Sequence, residues 1–427
     1  MNLNFTDSNV DIVGLHSTGT VSINSKSVDV AGTISANSTI AIAGGSGGVA
    51  IGEGGQLTSR TASAITVTTG ASDIEMRTGS VIKTSGAVSL SSTSGDISVG
   101  HIEAANPVTI TTAGAITDGD NGSAGGTEVA NIQTNGTVTL RAGQGIGSAD
   151  NALVLDADTI TELAGGTGAV TVAVRTTGTS TIAKLTGASA DISSTGGLTA
   201  GVTGWTLSNG LSLTTDGNIT QTGVLSVGGQ TDITSAGNVT LATSTNQFDS
   251  VVVDAGDVTI ADRDALTIGG AAQGLTVSTG ADLTLTATDV SGSASFTAIG
   301  QIASTAAVTV DAAAQLTSGA GKSVTLTGAN NFGGQVTVNS GAGLVLNDTS
   351  GLALDGTVAN DAVVTAGETL TLGQLQIGAD AVLRSGGTLA DTGNVITVAG
   401  STTLRTANGA AISLDGVDHR FAGTVTV

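Results

Sequence analysis

The chain has 427 residues, with 65 Gly, one Pro and neither Cys nor Tyr. Its mean hydropathy of +0.32 is too apolar for a disordered chain, and the absence of Cys excludes a disulfide scaffold. The formal net charge of −22 argues against nucleic acid, heparin-like polyanions and anionic bilayer surfaces as partners. No apolar run is long enough to span a bilayer, and the residues after Met1 do not form a signal peptide, so we expect no membrane insertion of this segment.

Short runs in which apolar residues alternate with Ser or Thr recur along the chain, bounded by Gly, Asn or Asp. Alternation with a period of two predicts β-strands, and the bounding residues predict corners. Pro107 stands at the start of one run and is predicted to be a corner residue. The segment 118–123 interrupts the pattern and is predicted to be an inserted loop. The runs lie at 19–23, 32–35, 65–68, 87–90, 96–99, 108–111, 138–140, 153–155, 170–172, 211–213, 218–220 and 239–241.

The glycines that precede these runs recur at an interval of about twenty residues, as in Gly217, Gly237 and Gly256. Strands this short, without regular two-residue hairpin turns, favour parallel stacking of one coil on the next. The sequence therefore predicts an all-β, right-handed parallel β-helix. We expect residues 1–427 to form a single repeat region of about twenty-one coils, on the order of 100 Å long.

A longer repeat is superimposed on the coils. It begins near residues 246, 330 and 419, and each copy places a phenylalanine before a Val-x-Val strand: Phe248, Phe332 and Phe421. We predict that about four coils separate these residues and that the rings face inward along one longitudinal line. The third copy stops at Val427, so the chain is predicted to be a fragment of a larger protein, with a last coil (424–427) that frays or associates end to end.

The repeat style resembles filamentous haemagglutinin-type passengers, which are secreted bacterial adhesins. The resemblance is carried by the segments 143–147, 237–241 and 332–338 and extends over nearly the whole chain. It implies secretion to the bacterial cell surface through an outer-membrane barrel and binding to a glycan or protein on a host or neighbouring cell. The absence of Cys is consistent with passage of an unfolded chain through such a barrel. Neither a secretion-recognition domain nor a C-terminal barrel is recognisable in the sequence.

Polysaccharide lyases and hydrolases also use right-handed β-helices, and a carbohydrate-active enzyme is the first alternative. Such sites need clustered carboxylates, a base or Arg, and aromatic sugar platforms. Trp205 is the single Trp, and its alternation with Leu207 predicts a core position. We therefore expect no enzymatic activity and assign no catalytic, cofactor-binding or metal-binding residue. The arginines are scattered along the chain, at Arg60, Arg77, Arg141, Arg175, Arg263, Arg384 and Arg405.

Several polar motifs in the sequence have residue types that can bind ligands. His16, His101 and His419 are too far apart to share a metal in a solenoid and are predicted to be isolated surface residues. Asp118, Asp120 and Asn121 alternate oxygen ligands as a calcium loop does, but Glu128 is one position short of the place that an EF-hand requires, so a plain turn is favoured. The segment 262–264 predicts a solvated corner. The glycine-rich segment 44–48 has no following Lys and predicts a flexible corner, not a phosphate loop.

Two further alternatives concern the outer surface. Thr-rich strands such as 66–69 and 283–286 suggest an ice-binding array, but the Thr pairs look irregular in sequence. The segment 49–52 resembles a coil of trimeric autotransporter heads, but it occurs once, whereas such heads repeat it in every coil. The leading hypothesis is a structural and adhesive stalk that presents binding loops; a carbohydrate-active β-helix and an ice-binding β-solenoid remain as alternatives.

Overall fold

The computed structural model describes residues 1–120, 129–407 and 409–427. The chain divides into two compact units, Met1–Gly229 and Gln230–Val427. The regular secondary structure of the described residues consists of β-strands. None of the described segments forms a helix long and apolar enough to cross a bilayer.

The described residues of the first unit, 1–120 and 129–229, form twenty-two complete strands. They are β1 (Asn2–Ser17), β2 (Val21–Ala36), β3 (Ile40–Ile51), β4 (Gln56–Ser59), β5 (Ile65–Thr69), β6 (Ile74–Met76), β7 (Val81–Thr84), β8 (Val88–Ser92), β9 (Ile97–Val99), β10 (His101–Ala104), β11 (Val108–Thr111), β12 (Ile116–Asp118), β13 (Ile132–Thr134), β14 (Thr137–Arg141), β15 (Leu153–Asp156), β16 (Thr159–Ala164), β17 (Val170–Val174), β18 (Thr179–Gly187), β19 (Ala190–Ser194), β20 (Gly197–Leu207), β21 (Leu211–Thr215) and β22 (Ile219–Gln221). The boundary between the units falls within β23 (Leu225–Ser235).

The second unit continues with shorter strands and two long ones that turn corners. They are β24 (Val239–Leu241), β25 (Gln247–Asp262), β26 (Leu266–Thr279), β27 (Leu283–Val290), β28 (Ala294–Ala298), β29 (Ile302–Ser304), β30 (Val308–Val310), β31 (Ala314–Ser318), β32 (Val324–Phe332), β33 (Gln335–Ser340), β34 (Leu344–Asp348), β35 (Leu352–Val358), β36 (Ala362–Ala366), β37 (Leu370–Ile377), β38 (Ala381–Ser385), β39 (Leu389–Asp391), β40 (Ile396–Val398), β41 (Thr402–Thr406), β42 (Ile412–Ser413), β43 (Arg420–Phe421) and β44 (Val425–Thr426).

Strands pair in parallel with the strand one coil further along the chain. In the first unit Ile65 of β5 pairs with Val88 of β8, which pairs with Val108 of β11. In the second unit Leu344 of β34 pairs with Ala362 of β36 in the same way. About twenty residues therefore complete a coil, and the chain forms about 21 of them. The predicted all-β parallel β-helix is confirmed.

The core of each unit is built from alternate residues of the strands. In β5, Ile65, Val67 and Thr69 are buried, while the intervening threonines face outward. Because successive side chains of a strand point to opposite faces, alternation along the sequence becomes an inside and an outside. Stacking places many of the buried Val, Ile and Leu residues on a Val, Ile or Leu of the next coil, as Val67 of β5 lies on Leu90 of β8. Each fully buried side chain of this kind contributes roughly 1.5–3 kcal/mol relative to exposure.

Buried hydroxyl groups close more than one corner of the coil. Thr84 Oγ1 donates to Ser63 O at 2.8 Å and accepts the N–H of Gly86 at 2.9 Å. Ser92 Oγ makes the equivalent bonds, to Ser72 O and from the N–H of Gly95. The strand-ending Ser or Thr and the Gly that follows it thus satisfy backbone groups that the corner removes from the ladder.

Carboxylates cap corners from outside, and one of these is the corner that Ser92 closes from inside. Asp73 Oδ1 accepts the N–H of Asp96 one coil later, and Asp96 Oδ1 accepts the N–H of Ala115. The second unit repeats the bond from the N–H of Asp380 to Asp361 Oδ1. Part of the negative charge of the chain therefore lies in corner caps that connect successive coils.

The predicted single line of phenylalanines is wrong. Phe332 stacks on Val310, and four coils before Phe332 this column reaches Ala255, which is seven residues after Phe248. Phe248 precedes the strand segment 251–253, whereas Ala255 follows it, so these two residues lie on different faces of the coil. From Phe248 to Phe332 the chain therefore makes four coils and continues to the next face. Four coils before Phe421 lies Ser340, again on the next face. Phe248 and Phe332 are buried, as predicted, and Phe421 is partly exposed.

Candidate functional site

The described part of the calcium-like loop is occupied by structural hydrogen bonds. Asp118 Oδ1 accepts from Asn131 Nδ2 at 2.6 Å and from the N–H of Asp120 at 2.8 Å. Asp120 Oδ1 accepts the N–H of Gly79. The other two candidates, Asn121 and Glu128, lie outside the described residues. Within the described ranges, no group of three or more His, Asp or Glu is arranged to hold a metal ion.

Asp262 is not part of a solvated corner, because its side chain is buried and only 3% exposed. Its Oδ2 accepts the N–H of Phe248 at 2.7 Å, and its Oδ1 accepts the N–H of Asp264 at 2.7 Å. Burial raises the pKa of Asp262 even though these two backbone bonds favour the charged form. Arg263 and Asp264 do form an exposed ion pair, at 3.0 Å. The predicted solvated corner is correct for these two residues and wrong for Asp262.

Asp262 belongs to a buried corner in which an Asn, a Phe and an Asp are combined. Asn246 is fully buried, and its Nδ2 donates to Leu241 O and Ala261 O, both at 3.2 Å. The second copy of the long repeat forms the same corner from Asn330, Phe332 and Asp348. The N–H of Phe332 donates to Asp348 Oδ2 at 2.8 Å. The buried Asn was not singled out in the sequence, although the shared spacing Asn-x-Phe was visible there.

Histidine replaces the Asn in the third copy. His419 Nδ1 accepts the N–H of Ile396 at 3.2 Å, as Asn330 Oδ1 accepts the N–H of Val308 at 2.9 Å. His419 Nε2 lies 2.9 Å from Asp391 Oδ2, and the two side chains are 10% and 3% exposed. The prediction of an isolated surface residue is therefore wrong for His419. It follows that this histidine has a structural partner on either side.

The other two histidines differ from each other. His16 is exposed, and it belongs to no group of three or more potential metal ligands among the described residues. His101 Nδ1 lies 2.7 Å from Ala130 O and is partly buried. Trp205 is 1% exposed and its Nε1–H donates to Ile182 O at 2.9 Å, so its predicted core position is confirmed.

A buried acidic residue forms ion pairs with one arginine and one lysine that lie far from it in the sequence. Glu162 is 7% exposed; its Oε2 lies 2.5 Å from Arg141 and its Oε1 lies 2.7 Å from Lys184. Burial alone would raise the pKa of Glu162, but hydrogen bonds from Lys184 and Arg141 outweigh it and lower the pKa. The three residues come from three successive coils. At this position the coils are connected by ion pairs and not by apolar packing.

One outer face of the first unit carries hydroxyl groups in register. Thr66 pairs with Ser89, Ser89 with Thr109 and Thr109 with Thr139 on successive coils. A second column, two residues along each strand, contains Thr68, Ser91 and Thr111 and ends at Arg141. The columns are about 6.6 Å apart along the strands, and the coils are about 4.8 Å apart. The array is thus regular over these coils, in contrast to the irregular pattern expected from the sequence.

The same unit has a shallow polar depression of about 270 Å³ beside these strands. Its floor includes Lys83 and Glu103, whose side chains form an ion pair at 2.5 Å across two coils. The remaining lining residues are Ser, Thr, Ala, Gln and Asn. A cleft for sugar cleavage needs two free carboxylates and a stacking platform, and the residues that line this depression supply neither.

Comparison with known families gives a match to part of the chain. A family described as "repeats of unknown function (DUF5649)" matches residues 187–254, 272–339 and 359–427, together just under half of the chain. Each matched segment ends six or seven residues after one of the three repeat phenylalanines, so these segments are similar to that family in register with the long repeat. No curated protein and no solved structure matches the chain.

Proposed function

We propose that this chain is a structural and adhesive segment of a secreted bacterial surface adhesin, acting as a rigid β-solenoid stalk. The observation that carries the proposal is the repetition of one coil, with its buried hydroxyl and carboxylate corners, through both units. Each coil is held by the next through a full parallel ladder and by corner bonds such as that from the N–H of Asp96 to Asp73 Oδ1. Such a chain resists bending and pulling without needing a large globular core.

The surface and composition support the same role. The chain lacks Cys, which suits export of an unfolded chain through an outer-membrane barrel, and that barrel is the proposed secretion partner. The net charge of −22 keeps such exposed repeats soluble and apart. The proposed location is the bacterial cell surface, with a glycan or protein of another cell as the binding partner.

We further infer that the segment is not an enzyme. Of the acidic residues described above, Glu162 is committed to Arg141 and Lys184, and Asp262 is committed to backbone N–H groups. The corner aspartates act as caps. These engagements give the carboxylates a structural role that explains their positions without a substrate.

Two measurements on the producing cells test the proposed function. Antibodies against this segment should label intact cells, and protease added outside should remove the label. Deletion of the gene should reduce attachment of the cells to host or neighbouring cells, and re-expression should restore it. The proposal fails when the protein is detected only inside unbroken cells, or when deletion leaves attachment unchanged.

The hydroxyl array of the first unit favours ice binding as a second candidate. Thr66, Ser89 and Thr109 present one hydroxyl per coil at a constant spacing, which is the property that matching to a crystal surface requires. Purified chain should then depress the freezing point below the melting point, and Thr109→Lys should abolish that gap. Equal freezing and melting points for the unmodified chain would exclude this candidate and leave the stalk proposal untouched.

A further inference from the structure

One outer face of the second unit departs from the Ser and Thr pattern. Val345, Val363 and Val382 stack in register on successive coils and are partly exposed. Beside them, Arg384 and Arg405 stack in register and are exposed. These five residues are called the Val–Arg face. It combines apolar and cationic side chains at neighbouring outer positions of successive coils.

The preceding repeat shows what these positions hold elsewhere. Strand β31 lies one coil before the Val-x-Val strand at 336–338 and pairs with it. Strand β41 lies one coil before the Val-x-Val strand at 425–427 and pairs with it in the same way. When the stacked columns are followed back coil by coil from these two strands, each residue of the Val–Arg face corresponds to a polar residue of the preceding repeat. The counterparts are Thr259, Thr276 and Ser295 for the valines and Thr297 and Thr317 for the arginines, and they stack in the same registers. The fold therefore does not require the Val–Arg face.

The two arginines are also unusual in their electrostatics. Most other cations described above have an acidic partner, as Lys83 has Glu103 and Arg263 has Asp264. Within the described ranges no ion pair forms at Arg384 or Arg405, although the chain has 34 Asp plus Glu and 12 Lys plus Arg. Like charges directly opposite on neighbouring strands are unfavourable. An anion between the two guanidinium groups would remove that repulsion.

We propose that the Val–Arg face binds a polysaccharide that carries well-spaced carboxylates, such as a uronic-acid-containing glycan. Guanidinium groups recognise carboxylates through paired hydrogen bonds, and two of them one coil apart can bind one carboxylate from both sides. The valine column offers an apolar surface for the C–H face of a neighbouring sugar ring. Thr365 lies in register with Arg384 and adds a hydroxyl group beside the site.

Two other classes of anion fit less well. A peptide that binds through its backbone adds a strand to a free sheet edge, but β36 is already paired on both sides, to β34 and β38, so an acidic peptide would be held by its side chains alone. A densely charged polyanion is repelled by the net charge of −22. At physiological ionic strength, salt screens charges that lie more than about 8 Å apart. The electrostatic energy of an isolated carboxylate at this face is therefore determined by the two nearby arginines and not by the net charge of the chain. A sparsely charged glycan is the partner that both observations favour.

This inference rests on the proposed adhesive role and names its ligand class. The test is isothermal titration of the full chain with a hexasaccharide that carries one galacturonic acid among neutral sugars, its methyl ester and a neutral glucose hexamer. We expect binding of the free acid and not of the ester or the neutral hexamer. Arg384→Thr or Arg405→Thr should each weaken binding about tenfold, and the double variant should abolish it. Val363→Thr should weaken binding about threefold.

The Thr substitutions copy the preceding repeat, so they are expected to preserve the fold, and circular dichroism checks this. A control that also removes two exposed cations, Lys26→Thr with Arg60→Thr, should leave binding unchanged. The proposal is overturned when the free acid does not bind, when ester and acid bind equally, or when the arginine variants bind normally. It is also overturned by preferred binding of an acidic peptide, or by self-association that needs the two arginines.

The outcome can be separated from that of the proposed function. Beads coated with the unmodified chain and with the double arginine variant are compared for attachment to cells. Loss of uronate binding together with loss of attachment supports the Val–Arg face as the adhesive surface. Attachment by both proteins without uronate binding overturns the inference while the adhesive stalk stands.

Discussion

Replacement of Asn330 by Ala tests the buried corner that the long repeat builds. Asn330 is fully buried, and its Oδ1 accepts the N–H of Val308 at 2.9 Å. Its Nδ2 donates to Leu326 O at 3.1 Å and to Asn347 O at 2.9 Å. Removing the side chain leaves one buried donor and weakens two acceptors. A buried group left unsatisfied costs about 1–3 kcal/mol, so the sum over this corner is about 2–5 kcal/mol.

The loss should be local, because coils in a solenoid contact only their neighbours. Hydrogen exchange followed by mass spectrometry should show faster exchange between residues 308 and 348 and unchanged exchange in distant coils. Asn339→Ala, at an exposed position of the next strand, is the matched control and should change stability by less than about 0.5 kcal/mol. Equal exchange in the two variants would refute the role given to the buried amide.

Three further substitutions test packing, backbone and charge. Phe332→Ala should cost about 3–5 kcal/mol in urea unfolding and loosen the nearby coils first, and a loss below about 1 kcal/mol would contradict its core position. Gly356→Ala should cost about 2–4 kcal/mol, because Gly356 has a φ of 123° and an added Cβ would lie 1.9 Å from Val338 O, whereas Gly351→Ala has room and should be mild. Glu162 has a lowered pKa in the folded state, so its stabilising contribution is present above the unfolded value of about 4.3 and is lost as the pH falls through the folded value. Unfolding measured between neutral pH and about pH 3 should therefore show a smaller acid-induced loss for Glu162→Gln than for the unmodified chain, and parallel curves would show that the ion pairs do not link stability to pH.

The strands and their stacking could be predicted from sequence because one rule, repeated in every coil, controls them. Alternation between apolar and hydroxyl residues separates inside from outside, and the Gly-containing corners mark the period. The corner chemistry was only half visible. A glycine that precedes a predicted strand, such as Gly95, fits the corner pattern, but the bond from Ser92 Oγ to Ser72 O depends on the register of neighbouring coils.

The position of the phenylalanines could not be obtained in the same way. A spacing of 84 residues between Phe248 and Phe332 looks like four coils of about 21, but four coils take 77 residues here, as the distance from Ala255 to Phe332 shows. The remaining seven residues shift the motif to the next face. A count of residues cannot distinguish longer coils from an extra strand, because coil length varies with each corner.

The charged and polar contacts were missed for a related reason. Arg141, Glu162 and Lys184 are spaced 21 and 22 residues apart, close to one coil, and stacking brings them together. The same spacing places Arg384 beside Arg405. Residues called scattered are therefore neighbours whenever their separation matches the local coil, and that local length is known only once the corners are placed.

Pulling the chain between its ends by single-molecule force spectroscopy tests the central claim most directly. A stalk made of coils that contact only their neighbours should give way in a series of small extensions, and each coil of about twenty residues should release roughly 70 Å of chain. In repeated pulls, the same small extensions should be seen as the applied force increases. Release of most of the chain in one cooperative event at low force would contradict the stacked-coil stalk.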